Sequence, residues 1–550
     1  MSSTFDGLYI ARSGVRAARA NLNVTGQNIT NSTTPGYTRQ RVDQAAITPP
    51  SGNDFYSGKQ GAVSGLGSDA FATSQLRDAF LDAEYRIQNA AAGGSATLSD
   101  ALSSLEDIFS YSTTAASSTQ SSIVDVLSSE LSNLISQMQN LTSGKSDASE
   151  SVIRDAADQL AKKFNAAAKQ LETAREQQYD DLSVYAVPDA NDLLQSIAAL
   201  NERIKSAEVS GGTALELRDQ RNLKLDELSQ YMDIRVEETE VPIGSGQTVH
   251  ELHVYLADKD GNALKNDGDP EFTLVSDKQY AQVSVFQDAD GARLTHVRLS
   301  GLTEDGKTFD GSNKGFQNAD LQTGSLSSYL KLLNENGEYD IDTTDPDKQT
   351  ATFRGIGYYS KLLDTLAQKF AETMNDANST DTETKPLFTS DGTDTTDITA
   401  ENIRLATGWT IGQGYLTTSK EEANPDDSTA TSYSNITAMI TALTSEKQDF
   451  RTPGENGVSI FNGTIQKAFM NVPTSLGQSV SSVNSANADD VNRLDNIDLN
   501  RQSISSVSID DEAVDLLQFN QALAASARFM TAVDECLQTI LNNMGLAGRG

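Results

Sequence analysis

The chain has 550 residues, with 42 Lys and Arg against 77 Asp and Glu, a formal net charge of −35. That acidic excess repels nucleic acid and anionic lipid, so neither is an expected partner. Its one cysteine, Cys536, excludes an internal disulfide and a cysteine-based zinc site, and the length predicts roughly two to four domains.

In chain order, the first predicted element is a helix. Leu8, Val15, Leu22 and Ile29 repeat every seventh residue, with Ala11, Ala18 and Thr25 three positions after the first three. This is a coiled-coil seam, which must face another helix. It runs into Asn28, Asn31, Thr34, Pro35, Gly36 and Tyr37, a set of capping and turn residues. Pro35 disfavours helix at Thr34, so the helix is expected to end near Asn31. Gly36 would give the backbone freedom before Tyr37, whose ring is expected to anchor the turn on a neighbouring subunit.

Helical spacing continues over about 71–110 (Phe71, Leu76, Phe80, Ile87), with a break expected at Gly93-Gly94 and Leu98, Leu102 and Leu105 beyond it. Further amphipathic helices are expected over 120–180 and 191–232. At Val236 the period changes. Leu252, Val254 and Leu256 alternate toward Asp260-Gly261, and residues 282–299 do the same around Asp290-Gly291, both hairpin signals. Helix returns with Ile356, Tyr359, Leu363, Leu366, Phe370 and Met374, and again over 460–500 from Phe461 onward. Residues 376–430, rich in Asp, Thr and Ser, are expected to form loops and short elements.

The last element mirrors the first. Leu516, Leu523, Met530 and Leu537 repeat every seven residues, followed three later by Phe519, Ser526, Val533 and Ile540. The simplest partner for one terminal seam is the other. The fold class is therefore mainly α with an inserted β domain: paired terminal helices, a long-helix bundle in the middle and a small antiparallel β domain. The domains are drawn as 1–65 with 500–550, 66–235 with 321–499, and 236–320.

Catalytic signals are weak. The three histidines, His250, His253 and His296, lie in alternating segments, so "HELH" reads as strand rather than as a metalloprotease helix. "DKDG" and "DADG" lack the bidentate Glu of a calcium loop and read as turns. No phosphate-binding loop, nucleophile elbow or Ser/His/Asp set stands out, so no catalytic, cofactor-binding or metal-binding residue is assigned. The N-terminus shows no basic region followed by an apolar run, and no window approaches about 18 apolar residues, so neither a cleaved signal peptide nor a membrane span is expected.

The two ends together resemble the flagellar axial proteins, the rod, hook and hook-associated subunits. "GLYIARSGVRAARANLNVTGQNITNSTTPGYTRQ" (7–40) is similar to their N-terminal helix and N-I-x-N-x-x-T-P-G-Y motif, and Thr38-Arg39-Gln40 points to the hook-associated branch. "SSVSIDDEAVDLLQFNQALAASARFMTAVDECLQTILNN" (505–543) resembles the ending of that branch, with Asn520, Leu523 and Cys536 departing from its usual residues. "ALELRDQRNLKLDELSQYMDIRV" (214–236) supplies a third match.

The resemblance implies an extracellular structural subunit joining hook to filament, exported by the flagellar type III route. Implied partners are further copies of the chain, hook protein below, a second junction protein and flagellin above, and an export chaperone. The expected assembly interface is Leu8, Val15, Leu22, Asn28, Ile29, Asn31, Pro35, Gly36 and Tyr37 with Leu516, Phe519, Leu523, Met530, Val533, Leu537 and Ile540. Two other readings stay open: another axial component such as distal rod or hook protein, and an enzyme domain carried on a flagellar scaffold.

Overall fold

A computed structural model of the protein describes residues 6–47, 67–109, 123–145, 149–244, 247–264, 272–288, 293–302, 317–318, 321–345, 348–379, 384–411, 414–419, 433–454 and 457–544. Helix α1 spans Asp6–Asn31. In its polar second half Asn21, Thr30 and Asn31 each donate a side-chain hydrogen bond to a carbonyl one turn back, so these polar groups are satisfied without leaving the helix.

A hairpin follows, β1 (Gln40–Ala46) antiparallel to β2 (Ser68–Gln75). Phe71, expected on a helix, is instead the extra residue of a bulge: Asp43 faces Ala72 and Gln44 faces Ala70. The bulge turns its ring outward, 65% exposed, and helix begins only at Ala79. Helix α2 (Ala79–Phe109) then runs unbroken through Gly93-Gly94, against the expected break. These glycines are needed for close approach: a Cβ on Gly93 would stand 2.5 Å from the Gln230 carbonyl oxygen, and one on Gly94 3.2 Å from that of Gly324.

Next come α3 (Ile123–Thr142), α4 (Glu150–Asp180), a π turn (Asp181–Ala186), α5 (Val187–Val209) and α6 (Leu215–Ser229). Strands β3 (Ile234–Gly244), β4 (Gln247–Leu256), β5 (Thr273–Ser276) and β6 (Gln279–Tyr280) form an antiparallel sheet in that order. A second sheet joins β7 (Val283–Gln287), β8 (Thr295–Leu299) and β9 (Gln317–Asn318). The turn expected at Asp290-Gly291 lies outside the described residues. At the other turn, Asp258 Oδ1 accepts from the backbone N–H of Asp260 (2.9 Å) and of Asn262 (2.8 Å), an Asx turn.

Helices α7 (Ser325–Asn334), α8 (Ile356–Asn378), α9 (Ser434–Thr444), α10 (Ile465–Ser505) and α11 (Ile509–Met544) complete the order. A ladder of 448–451 with 459–463 puts Phe461 in a strand, where helix was expected.

The buried side chains fall into two clusters. One gathers α3, α4, α8, α9 and the start of α10 around Phe164, Phe370, Phe388, Trp409 and Phe469. The other joins α5, α6 and α7 to the strands, through Leu194, Ile197, Leu225, Leu228, Val254, Val275 and Leu326. The strands therefore have no core of their own, and a boundary at 235/236 cuts through this cluster. An antiparallel sheet with one apolar face needs a cover, and here α5 and α6 provide it. The uninterrupted helical path from α4 through the π turn to α5 links the clusters. Toward the termini, α2 and α10 pair antiparallel, with Gln88 reaching Asp490, Ser95 Asn487 and Ser99 Asn484.

Candidate assembly site

Helices α1 and α11 pack along their length and run antiparallel. Glycines on α1 fix the register: a Cβ on Gly7 would meet Val533 at 3.1 Å, and one on Gly14 would meet Ser526 Oγ at 2.8 Å. Ala11, Ala18 and Thr25 are buried in this seam. The larger residues are not. Leu8, Val15, Leu22 and Ile29 on α1, and Leu516, Phe519, Leu523, Met530, Val533 and Leu537 on α11, are all only half-buried. Ile540 is 45% exposed. The two helices thus satisfy part of their apolar demand with each other, while the largest fully buried side chains all lie in the body.

The polar run after α1 forms a clamp. Thr34-Pro35-Gly36-Tyr37 is a tight turn, with the Tyr37 N–H on the Thr34 carbonyl at 3.2 Å and Gly36 at φ +75°. Proline second and a left-handed glycine third are what a type II turn requires. Asn28, buried, closes the loop. Its amide donates to the Gln40 carbonyl (2.9 Å), and its Oδ1 accepts from the Gln40 N–H (3.0 Å) and the Tyr37 hydroxyl (2.9 Å). The Tyr37 hydroxyl is thereby bonded within its own chain. Burial, with Asp219 nearby, pushes its pKa up to about 12, so the hydroxyl stays a donor. Asn31 bonds back to Gln27, Pro35 is exposed, and Gly36 packs toward Leu223 on α6.

Thr38, Arg39 and Gln40 extend the clamp into a latch. Thr38 donates its N–H to Asp219 Oδ2 (3.1 Å) and its hydroxyl to Asp219 Oδ1 (2.7 Å). Burial pushes the Asp219 carboxyl up to about 6 against the opposing pull of those hydrogen bonds and of Arg77. Arg39 pairs with Glu512 (2.7 Å) and Asp515 (3.2 Å) at the start of α11, and its N–H bonds the Ser505 carbonyl that closes α10. One residue thus ties the hairpin to the elbow between α10 and α11.

Below it, Asp226 on α6 accepts from Arg86 of α2 (2.9 Å) and Arg501 of α10 (2.6 Å). Asn89 donates to the Asp226 carbonyl and the Ser229 hydroxyl, both at 2.8 Å, and the Arg501 guanidinium lies 3.7 Å above the Tyr85 ring. Buried charges remain ionic only when paired and hydrogen-bonded, and these are. The network fixes the direction in which the terminal helix pair leaves the body.

The expected interface residues therefore belong to two places. The seam residues lie along α1 and α11; Asn28, Asn31, Pro35, Gly36 and Tyr37 lie at the clamp. Thr38, Arg39, Asp219, Asp226, Arg86, Arg501 and Glu512 also belong to the site, although none of them is expected there from sequence. Four of them, Thr38, Arg39, Asp219 and Asp226, lie in the TRQ triplet and the 214–236 segment, but nothing local in those segments reveals what joins them. The histidines do not converge: His250 faces Glu208, His253 faces Ser276 and His296 faces Asp288, each at 3.1 Å.

The paired terminal helices latched to a helical body, together with the match of the last of them to a rod-protein family model, define the class of flagellar axial subunits. A family model described as "Flagellar hook-associated protein FlgK helical domain" matches residues 102–388, and one described as "Flagellar basal body rod FlgEFG protein C-terminal" matches 500–544. The chain belongs to the FlgK family of flagellar hook-associated proteins and is a component of the bacterial flagellum. It is 27% identical over 561 residues to flagellar hook-associated protein 1 of Bacillus subtilis (strain 168), covering 100% of both chains. It is 22% identical over 582 residues to the protein of that name from Salmonella typhimurium, covering 97% of this chain and 98% of that one. The structure of the flagellar hook junction protein FlgK from Burkholderia pseudomallei aligns with TM-score 0.49 and 13% identity, over 77% of this chain and 100% of that one.

Proposed function

We propose that the protein is a structural subunit that joins the hook to the filament, assembling through the α1–α11 pair. The observation that carries this reading is the half-filled seam. Ten large apolar seam residues stay half-exposed on a pair held to the body by a buried polar latch. A helix pair so thinly packed gains stability when neighbouring subunits bury what is left, so the ends order fully on assembly. Weakly held ends, with no disulfide, also suit threading through the flagellar type III export channel.

In this reading the partners are copies of the chain, hook protein below, and a second junction protein and flagellin above, with an export chaperone before assembly. The role is mechanical rather than catalytic. A peptidase or glycosidase assay on the purified chain that came back positive would favour the alternative of an enzyme domain on a flagellar scaffold. Removing residues 505–550 tests the main proposal. Cells carrying the truncated chain should build hooks without filaments; normal swimming would refute assembly through the terminal pair.

A further inference from the structure

We infer that the outer face of α1 is a docking groove for α11 of a second copy of this chain, with Arg12, Arg16 and Arg19 of one copy meeting Asp534 and Glu535 of the next. The inference rests on the assembly reading above and adds to it a face, a partner helix and an axial offset.

The arginines lie at helical spacing on one exposed stripe, next to Tyr9, which is 61% exposed. Seven residues of helix put all three within about 10 Å along the axis. Among the described residues none of them has an ion pair, in a chain with 77 acidic and 42 basic residues. Three unpaired cations on one short stretch of such a chain call for an acidic surface from elsewhere. The stripe also borders a groove of about 560 Å³ between α1 and the β1–β2 hairpin, lined by Tyr9, Arg12, Arg16 and Ile47; Asp6 and Asp69 of the same chain line it too, but among the described residues neither forms an ion pair with the arginines.

On α11 the acidic residues are not equivalent. Glu512 and Asp515 are taken by Arg39. Asp510 and Asp511 sit in the first turn, where the helix dipole favours them. Asp534 and Glu535 have neither kind of support. Both are exposed, and the nearest described contact of either carboxylate is Gln538 on Asp534 at 3.4 Å. On the stretch before them Ala522, Ala525, Ala527 and Ala532 are exposed, beside the 45% exposed ring of Phe529, which a second helix approaching over the alanines would cover.

The register prevents the pairing within one chain. Gly7 lies level with Val533 and Gly14 with Ser526, so Arg12 to Arg19 lie level with residues 528 to 521. The acidic pair stands about ten residues further along, roughly 15 Å from the middle of the stripe. A copy shifted by that distance brings the charges together. Because every copy offers both a groove and a helix, the contact is heterologous and propagates from copy to copy.

The test uses the full chain in cells lacking their own copy. In isolated flagella, R16C with E535C in a C536S background should give oxidised dimers and longer ladders on a non-reducing gel, while either cysteine alone gives none. R12E/R16E/R19E and D534K/E535K should each lower the number of filament-bearing cells by about tenfold, through like-charge contact, and combining them in one chain should restore filaments. Absence of cross-links in flagella that contain the double-cysteine chain, or filaments at wild-type frequency with the triple reversal, would overturn the pairing. Failure of the assembly reading itself looks different: the unmodified chain would then be missing from isolated flagella.

Discussion

Replacing Asn28 by alanine probes the clamp that joins the terminal pair to the rest of the chain. Asn28 is 2% exposed and serves three partners: the Gln40 carbonyl, the Gln40 N–H and the Tyr37 hydroxyl. Each such bond contributes about 1 kcal/mol net, and leaving the Gln40 groups buried without partners costs more, so Asn28→Ala should weaken the clamp by about 3 kcal/mol. Asn28→Asp is the sharper variant. It keeps the shape and the acceptor, but turns the donor into a carboxylate oxygen facing the Gln40 carbonyl. Hydrogen exchange reads the effect locally. A loss of 3 kcal/mol corresponds to about 150-fold faster exchange of the Gln40 amide, with amides of α4 and α8 unchanged. Asn28→Asp should be at least as damaging as Asn28→Ala. Unchanged Gln40 exchange in Asn28→Ala, or full protection in Asn28→Asp, would refute the clamp.

Three further expectations follow from the latch. Arg39→Glu places a carboxylate beside Glu512, which is 2% exposed, and should open the elbow, giving protease cleavage between 505 and 509; Arg39→Lys should be cut less. Asp226→Ala strands the buried Arg86 and should cost about 3–5 kcal/mol, whereas Asp226→Leu with Arg86→Met should recover much of the loss in a denaturation series. Stability should rise as pH falls from 7 to 5, because burial lifts Asp219 and Asp233 to about 6, above their unfolded value of 3.8. The folded chain then holds the extra protons, and about 1–3 kcal/mol gained by pH 5 is lost again as pH rises through 6. Glu238, Glu338 and Asp340 are shifted down by their arginine and hydrogen-bond partners, so their contribution fades only below the ordinary carboxylate range. Asp219→Asn with Asp233→Asn should flatten the profile between pH 5 and 7.

How much of this was legible in the sequence depended on the distance over which each interaction acts. The seams could be read, because a seven-residue repeat records its own partner surface: half-buried Leu516, Leu523 and Met530 face α1, as the pattern required. The turn at Pro35-Gly36 could be read because its chemistry is local. The latch could not. Thr38 finds Asp219 across 181 residues, Arg501 finds Asp226 across 275 and Arg39 finds Glu512 across 473, and no periodicity announces such pairs. Gly93-Gly94 misled for a related reason. Glycine normally weakens a helix, but here the backbones at Gln230 and Gly324 leave no room for a side chain. Phe71 misled because a bulge residue escapes the alternation of its strand. The β segment was visible, but its cover, α5 and α6, precedes it in the chain and looked like part of a separate bundle.

If this chain forms the joint between hook and filament, it must sit at their boundary and nowhere else. Immunogold labelling of isolated flagella, with antibody against the exposed outer end of β3 at 239–244, decides whether it does. A single narrow band of gold is expected where the curved hook meets the filament, and none along either shaft. Label spread along the hook or the filament, or confined to the rod, would contradict it.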